Sequence, residues 1–223
     1  MLDFGYYNMD CMDGMKEFPD KYFELAIVDP PYGIGINMNQ GRRRGDIKKH
    51  KVKSWDKSAP PIKYWHELTR VSINQIVWGA NNFEWIPPSN GWIVWDKDIT
   101  GKVEFSKAEL AYTSIRNSVD MVKIRAQTGN ETYMNKIHPT QKPIKLYEWL
   151  LTNYAKQGDK ILDTHVGSAS SLIACHNLGF QYVGFEIDKE YYEESLKRLE
   201  AHKSQVSLLD ITKADNEQIV IGE

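Results

Sequence analysis

Short apolar runs alternate with helix-like apolar patterns along most of this 223-residue chain. Runs of this kind, bounded by polar or turn-forming residues, predict strands. The predicted strands are residues 5–8, 24–28, 75–78, 91–95, 108–113 and 119–124. Apolar positions three or four residues apart predict two helices, one from Pro61 to about residue 73 and one from Ile144 to near Gly158. The alternation of strands and helices is typical of an α/β protein.

The part of the chain after Gly158 predicts a strand, a glycine-containing loop, a helix, a second strand and a second helix in succession. Ile161-Leu162 begin the first strand, Tyr182 lies in the second, and the last helix runs through Leu199. This order is typical of a mononucleotide-binding half of a doubly wound, mostly parallel sheet. The sequence therefore predicts an α/β fold with a Rossmann-like sheet.

Some segments do not show the periodicity of a strand or a helix. Residues 10–21 are predicted to form a connection, with turns at Asp13-Gly14 and Pro19-Asp20. Residues 33–60 are predicted to form a long loop, because they contain four glycines and no apolar period. Residues 203–223 predict no element.

Composition restricts the class of protein. The length suits one domain, and 28 basic against 30 acidic residues mean that any surface for nucleic acid must be a local patch. Cys11 and Cys175 have no paired spacing, the first residues have no leader pattern, and no apolar run is long enough to span a bilayer. We therefore expect a soluble cytoplasmic protein with reduced thiols and no membrane partner.

The tetrapeptide Asp29-Pro30-Pro31-Tyr32 follows the apolar run 25–28 directly. It therefore lies at the carboxyl end of a buried strand, where α/β sheets bind ligands. An exocyclic amine of a base is a poor nucleophile until fixed acceptors hold its hydrogens. Asp29 and the Pro30 carbonyl are candidate acceptors, and Tyr32 is a candidate stacking partner for the base. The alternative is a rigid strand exit with a buried tyrosine.

These residues resemble the catalytic motif of S-adenosylmethionine (SAM)-dependent amino-methyltransferases of DNA. In the beta class of that family the catalytic strand precedes the cofactor loop, as it does here. His138 to Pro143 matches the segment before the cofactor half, residues 160–170 match the SAM loop, and residues 182–188 match the next strand with its acidic residue. The resemblance implies one methyltransferase domain over residues 1–223 in circularly permuted order. Its parts are a catalytic half at 1–113, a short recognition region at 114–136, a SAM-binding half at 137–202 and a tail at 203–223.

The resemblance also implies which residues bind SAM, with no metal required. Gly167 and Ser168 would bring backbone N–H groups to the methionyl carboxylate, and Glu186 would hold the ribose hydroxyls. The full implied set is Asp10, Cys11, Asp29, Thr140, Gln141, Lys142, Asp163, Thr164, His165, Gly167, Ser168 and Glu186. In this set Cys11 is a small buried residue rather than a nucleophile, and the alternative for Lys142 is a solvated lysine at a helix entry.

The cofactor loop departs from the family pattern at four positions. Thr164 replaces Pro, His165 replaces Phe, Ala169 replaces the second Gly and Ser170 replaces Thr, whereas Asp163, Gly167 and Ser168 are kept. Two roles stay open for His165, which either donates to the methionyl carboxylate or packs as a neutral ring.

A basic run follows the catalytic tetrapeptide. Residues 42–53 carry seven cations and one acid, a pattern that is usually a solvated face but that beside a base-modifying site predicts contacts with DNA phosphates. The cations are Arg42, Arg43, Arg44, Lys48, Lys49, Lys51 and Lys53. Residues 114–136 contain side chains able to read base edges.

We therefore predict a site-specific methyltransferase that acts on adenine N6 of DNA, of the kind found in restriction–modification systems. Asp rather than Ser at position 29 favours adenine over cytosine N4, which is the nearest alternative. A protein-glutamine or RNA-guanine methyltransferase is disfavoured by Asp29 and by the order of the motifs. The altered cofactor loop keeps open a catalytically silent nucleic-acid-binding protein on the same fold. A homodimer is a candidate assembly.

Overall fold

A computed structural model of the protein describes residues 1–34, 58–102, 106–126, 137–138 and 140–220; for residues 206–220 it describes the backbone alone. The strands are β1 Gly5–Tyr7, β2 Phe23–Val28, β3 Ser72–Trp78, β4 Trp92–Asp96, β5 Ala108–Thr113, β6 Val119–Lys123, β7 Lys160–Asp163 and β8 Gln181–Phe185. The helices are α1 Cys11–Lys16, α2 Ile62–Val71, α3 Ile144–Tyr154, α4 Ser170–Asn177 and α5 Lys189–Val220.

The eight strands form one sheet in the order β1-β8-β7-β2-β3-β5-β4-β6. Every pairing in it is parallel except the two that β5 makes, with β3 and with β4. In this sheet β2 lies beside β7, although 131 residues of the chain lie between Val28, which ends β2, and Lys160, which begins β7. The predicted α/β fold with a mostly parallel, permuted sheet is confirmed.

Helices cover both faces of the sheet, which explains why its central strands are apolar throughout. In β2 every residue but Glu24 is buried. On one face the core contains Met15 of α1 with Tyr64 and Leu68 of α2. On the other it contains Leu146 and Leu150 of α3 together with α4 residues. A strand that is buried on two faces has no polar side to alternate with, so its sequence is a continuous apolar run.

The prediction of a turn at Asp13-Gly14 is wrong, because both residues lie inside α1. Asp10 caps this helix, and its Oδ1 accepts a hydrogen bond from the Met12 N–H at 2.7 Å. Gly14 is required by packing rather than by a turn, since a Cβ added there would lie 2.4 Å from the Phe185 ring. The glycine that suggested a turn is therefore a point of close approach between α1 and β8.

The prediction that residues 203–223 form no element is also wrong for residues 203–220, which continue α5. This segment has no regular apolar stripe, and a prediction from hydrophobic periodicity depends on such a stripe. Among the described residues, no helix is long and apolar enough to cross a bilayer.

Candidate active site

The carboxyl ends of three adjacent parallel strands carry the predicted chemistry. Asp29 follows β2, His165 follows β7 and Glu186 follows β8. The register pairs Ala26 with Leu162 and Asp163 with Gly184, so these three strand ends lie at one edge of the sheet. This is the edge at which open α/β sheets bind ligands.

An open cleft lies at this edge, with about 650 Å³ of empty space when solvent at its mouth is included. The predicted site residues in its wall are Asp29, Pro31, Thr140, Gln141, Lys142, His165, Gly167, Ser168 and Glu186. The cleft therefore joins the predicted catalytic segment to the predicted cofactor loop. The predicted residues that are not in its wall are Asp10, Cys11, Pro30, Tyr32, Asp163 and Thr164.

The Asp29 carboxylate is held by two donors from different parts of the chain. Lys142 Nζ donates to Asp29 Oδ2 at 2.5 Å, and the Tyr32 hydroxyl donates to Asp29 Oδ1 at 2.7 Å. The Lys142 side chain is only 3% exposed, and its ammonium lies 5.4 Å from the Trp78 ring centroid. This lysine is therefore a buried partner of Asp29 and not a solvated residue at a helix entry.

Two further charged residues, which the sequence analysis missed, extend this pair. Lys142 Nζ lies 3.1 Å from Glu109 Oε2, and Lys97 Nζ lies 2.6 Å from Glu109 Oε1. Glu109 is on β5, and Lys97 directly follows β4, its antiparallel neighbour. The only sequence signal for this pair was Glu109 itself, an acidic residue within a predicted strand. Acids are seldom buried in strands without a charged partner.

The alternating charges determine how these groups ionise. Burial alone would raise the pKa of the Glu109 carboxyl, but Lys142 and Lys97 outweigh burial and lower that pKa to about 2. Burial alone would lower the pKa of Lys142, but Asp29 and Glu109 outweigh it and raise that pKa above the ordinary lysine value. Both groups are therefore charged at neutral pH.

The Tyr32 ring packs directly on the backbone at Gly79. A Cβ added to Gly79 would lie 2.1 Å from the ring, and the backbone there is left-handed at φ +65°. Phe83 approaches the same ring edge-on, with centroids 6.2 Å apart. These contacts fix the position of Tyr32 beside Asp29.

Asp163 holds the predicted cofactor loop in place by two hydrogen bonds. Its Oδ1 accepts the His165 backbone N–H at 3.0 Å, and its Oδ2 accepts the Ser171 hydroxyl. Burial raises the pKa of Asp163 to about 7, although the bonds from Ser171 and His165 oppose that rise. Both carboxyl oxygens are thus used to hold the loop to β7 and α4.

His165 is a neutral ring in the wall of the cleft. Burial lowers its pKa to about 4. Its Nδ1 lies 2.9 Å from Thr164 Oγ1, which in turn lies 2.6 Å from the Tyr64 hydroxyl. The Tyr64 ring also contacts the His165 ring edge-on at 5.4 Å. The polar replacements at positions 164 and 165 therefore bond to each other and to α2.

Glu186 is oriented by two backbone donors. Its Oε1 accepts the Asp188 N–H at 2.8 Å, and its Oε2 accepts the Gly167 N–H at 3.0 Å. The Gly167 N–H, which the sequence analysis assigns to the methionyl carboxylate, is therefore bonded to Glu186 in the structure. Next to it, Ile187 is 67% exposed and lies in the wall of the cleft, as does Tyr191. An apolar side chain beside a fixed carboxylate suits a nucleoside, which has an apolar base face and ribose hydroxyls. The sequence analysis missed Ile187 and Tyr191, since neither residue type is unusual at a helix entry.

Asp10 and Cys11 serve the first helix in the structure. Asp10 is its cap, as described above, and Cys11 packs partly buried against the core on that face of the sheet. Burial raises the pKa of the Cys11 thiol to about 12, so it is not a thiolate at neutral pH.

The predicted DNA-contacting residues lie outside the described part of the chain: Arg42, Arg43, Arg44, Lys48, Lys49, Lys51 and Lys53. Of the predicted recognition region, residues 114–126 are described. Arg116 there pairs with Asp120 at 2.8 Å and lies 4.6 Å from the Tyr154 ring centroid. Lys123 pairs with Asp98 at 2.9 Å. No cluster of His, Cys, Asp or Glu that could hold a metal ion occurs within the described residues.

Comparison with known proteins gives concordant matches. A family model described as DNA methylase, for N6 and N4 methylation, matches residues 49–197. The type II methyltransferase M2.MboI of Moraxella bovis is 24% identical over an alignment 240 residues long. The alignment covers 88% of this chain and 87% of the relative.

Solved structures share the fold at lower identity. The M1.HpyAVI–SAM complex matches with a TM-score of 0.58 and 19% identity, over 87% of this chain and 98% of that one. The PvuII DNA methyltransferase, described as cytosine-N4-specific, matches with a TM-score of 0.60 and 13% identity, over 92% and 91% of the two chains. The structural neighbours thus include an N4-cytosine enzyme and a SAM-bound protein.

Proposed function

The chain belongs to the family of N6 and N4 DNA methylases, and from this premise we propose that it transfers a methyl group from SAM to the N6 amine of adenine in DNA. The observation that carries the proposal is the position of Asp29. It lies in the wall of a cleft that also contains the cofactor loop, and Lys142 and Tyr32 fix its carboxylate there.

The cleft has the groups that SAM requires. Glu186, held by two backbone N–H groups, presents a carboxylate to ribose hydroxyls, and Ile187 presents an apolar surface to the adenine of the cofactor. The loop at 166–168 leads into the amino end of α4, which favours the negative methionyl carboxylate. When bound, SAM supplies an electrophilic methyl group on a sulfonium sulfur.

Asp29 has acceptor capacity left for a substrate amine. A carboxylate offers about four acceptor sites. Lys142 and Tyr32 occupy two of them, so two remain for amino hydrogens. An amino group held there has its lone pair less delocalised into the ring. That nitrogen would be the nucleophile toward the methyl group that SAM would supply, and the proton released from the methylated amine would pass to solvent at the open cleft.

Adenine is favoured over cytosine by the residue at position 29. Asp is typical of the adenine enzymes that the motif resembles, whereas Ser is typical of the N4-cytosine enzymes. We would incubate the purified protein with SAM and genomic DNA, digest the DNA to nucleosides and separate them by mass spectrometry. N6-methyladenine is expected; N4-methylcytosine alone would overturn the adenine assignment but leave the family intact.

The role of Asp29 is tested by Asp29→Ala. We expect methyl transfer to fall about 10²–10³-fold, because one preorganised electrostatic contact is lost, while SAM affinity and folding are retained. Lys142 keeps Glu109 as a partner in this variant, which limits the loss of stability. Asp13→Ala, which removes an exposed acid from a surface ion pair, is the matched control and should have wild-type turnover. Near wild-type turnover of Asp29→Ala would remove Asp29 from the mechanism.

A further inference from the structure

We propose that Glu109 and Lys97 are positioning residues that act through Lys142 on the catalytic carboxylate of Asp29. The inference rests on the proposed function for the role of Asp29. It assigns no direct contact with substrate to Glu109 or Lys97. Their role is to set how strongly Lys142 binds Asp29.

The geometry is a chain of alternating charges that runs from the cleft to the far side of β5. Asp29 Oδ2 contacts Lys142 at 2.5 Å, Lys142 contacts Glu109 Oε2 at 3.1 Å, and Glu109 Oε1 contacts Lys97 at 2.6 Å. The Tyr32 hydroxyl bridges the two acids, at 2.7 Å from Asp29 Oδ1 and 3.5 Å from Glu109 Oε2. Two cations and two anions therefore make a set with no net charge.

Lys142 serves two acids, and the second lysine balances the charge of the second acid. Lys142 holds the Asp29 carboxylate in place through its contact with Oδ2. A lysine that served Asp29 alone would also reduce the negative charge that a developing cationic amine requires. Glu109 takes part of the hydrogen-bonding capacity of Lys142, and Lys97 then compensates the charge of Glu109. The positive charge that Lys142 places beside Asp29 is thereby shared with Glu109.

Other ionisable groups that face Asp29 do not provide the same control. Tyr32, Tyr64 and Tyr147 approach it from its own loop, α2 and α3, and burial raises the pKa of each phenol, so they are neutral at pH 7. Asp163 of β7 faces it as well and has a pKa of about 7. Its contribution has to be separated experimentally from that of Lys142, Glu109 and Lys97, which we call the relay.

Two substitutions should move the pH dependence of methyl transfer in opposite directions. Lys142→Met removes the cation that favours ionised Asp29, so the acid-side half-maximum of turnover should rise by roughly 1–3 pH units. Glu109→Gln removes a nearby anion and commits Lys142 to Asp29, so the half-maximum should fall by roughly one unit. A purely structural role would reduce the amount of active protein and leave the half-maximum unchanged.

Matched controls separate the relay from general effects of charge. Glu67→Gln removes a partly buried acid that pairs with Arg70 at 2.7 Å, and Lys160→Met removes a lysine that pairs with Glu24 at 3.2 Å at the other end of β7. Neither should move the half-maximum. Asp163→Asn removes the titration near pH 7, and in that background the opposite shifts of the two relay variants should persist.

A second measurement is independent of turnover and of the proposed function. The protonation midpoint of Asp29 can be followed by carboxyl ¹³C chemical shifts without DNA or cofactor, with Asp29→Asn used to assign its signal. Opposite displacements of the midpoint in Lys142→Met and Glu109→Gln support the relay, even if wild-type protein were found not to methylate DNA. Glu109→Gln keeps the size of the side chain, so this variant is testable if Lys142→Met does not fold. An Asp29 midpoint that is unchanged or raised in Glu109→Gln would overturn the proposal.

Discussion

At the scale of single residues, burial gives neighbouring polar groups in this site different ionisation behaviour. Asp163 ends β7 and His165 lies two positions later in the loop, yet burial raises the pKa of the acid to about 7 and lowers that of the imidazole to about 4. In both cases the neutral form is the one that burial favours. Glu109 is the opposite case, because two lysines outweigh its burial.

The raised pKa of Asp163 predicts a pH-dependent stability. Because the folded value of about 7 lies above the ordinary value of 3.8, the folded state binds this proton more tightly than the unfolded state. The stabilisation is therefore complete below about pH 4 and is lost as the pH rises to about 7, amounting to at most roughly 4 kcal/mol.

Asp163→Asn should remove this slope. The amide can still accept the His165 N–H and can donate to the Ser171 oxygen, so the contacts of the loop are kept. Urea unfolding at intervals between pH 4 and 7 measures the effect as a difference between variant and wild type. A difference in unfolding free energy that stays constant over this range would contradict the assignment.

His165 offers a test of charge at the cofactor loop. With a pKa of about 4 the ring is neutral above about pH 5, so its contribution to SAM binding should not depend on pH between 5.5 and 8. We expect the ratio of the SAM dissociation constants of His165→Phe and wild type, measured by calorimetry, to stay constant over that range. A ratio that grows as the pH falls below 7 would mean that a charged imidazole binds the cofactor.

The sequence predicts some of these residues and not others, for a physical reason. Asp29 and Glu186 end apolar strands, and the carboxyl ends of parallel strands meet at one edge, so their proximity follows from the pattern. The partners of Lys142 depend on the register between β4 and β5 and on a contact between residues 113 positions apart. No local pattern contains that information, which is why Glu109 and Lys97 were found only in the structure.

At the scale of elements, the same limit separates strands from the first helix. The strand predicted at 108–113 has the bounds of β5, because its composition and its turn-forming flanks are local. In α1 a glycine is present for a contact with Phe185, a residue of the last strand. The propensity of an isolated segment cannot reveal such a contact, and there the local prediction failed.

This contact predicts that Gly14→Ala destabilises the protein, although alanine favours helices by about 1 kcal/mol over glycine. The added Cβ would lie 2.4 Å from a fully buried ring, and overpacking of this kind costs about 1–3 kcal/mol. Urea unfolding should show a lower midpoint with an unchanged slope. Asp13→Ala in the same helix is the control for propensity and should be close to neutral. The double variant Gly14→Ala with Phe185→Leu should recover part of the lost stability. If Gly14→Ala alone stabilises the protein, the close approach of Gly14 to the Phe185 ring is refuted.

At the scale of the whole molecule, the sheet order brings together two halves that are distant in the chain. β2, which leads to Asp29, pairs with β3 on one side and with β7, the first strand of the predicted cofactor half, on the other. Because helices leave these two halves on both faces, the cleft forms where they meet. The one remaining requirement of the proposed function is a surface for DNA, and the formal net charge of −2 means that it has to be local.

The basic segment 42–53 is our proposal for that surface, argued from its sequence. If its cations neutralise DNA phosphates, replacing Arg42, Arg43 and Arg44 by Ala should weaken binding to all duplexes alike and flatten the salt dependence by about 0.9 in log–log slope for each lost contact. The matched control replaces the exposed residues Lys16, Lys189 and Lys197 by Ala and changes the net charge equally.

Binding is measured by fluorescence anisotropy at several salt concentrations, and site preference by sequencing of methylated DNA. Preference should be unchanged, because phosphate contacts do not read bases. An altered preference with an unchanged salt slope would instead mean that residues 42–53 read the sequence and that the recognition role proposed for 114–136 belongs to them.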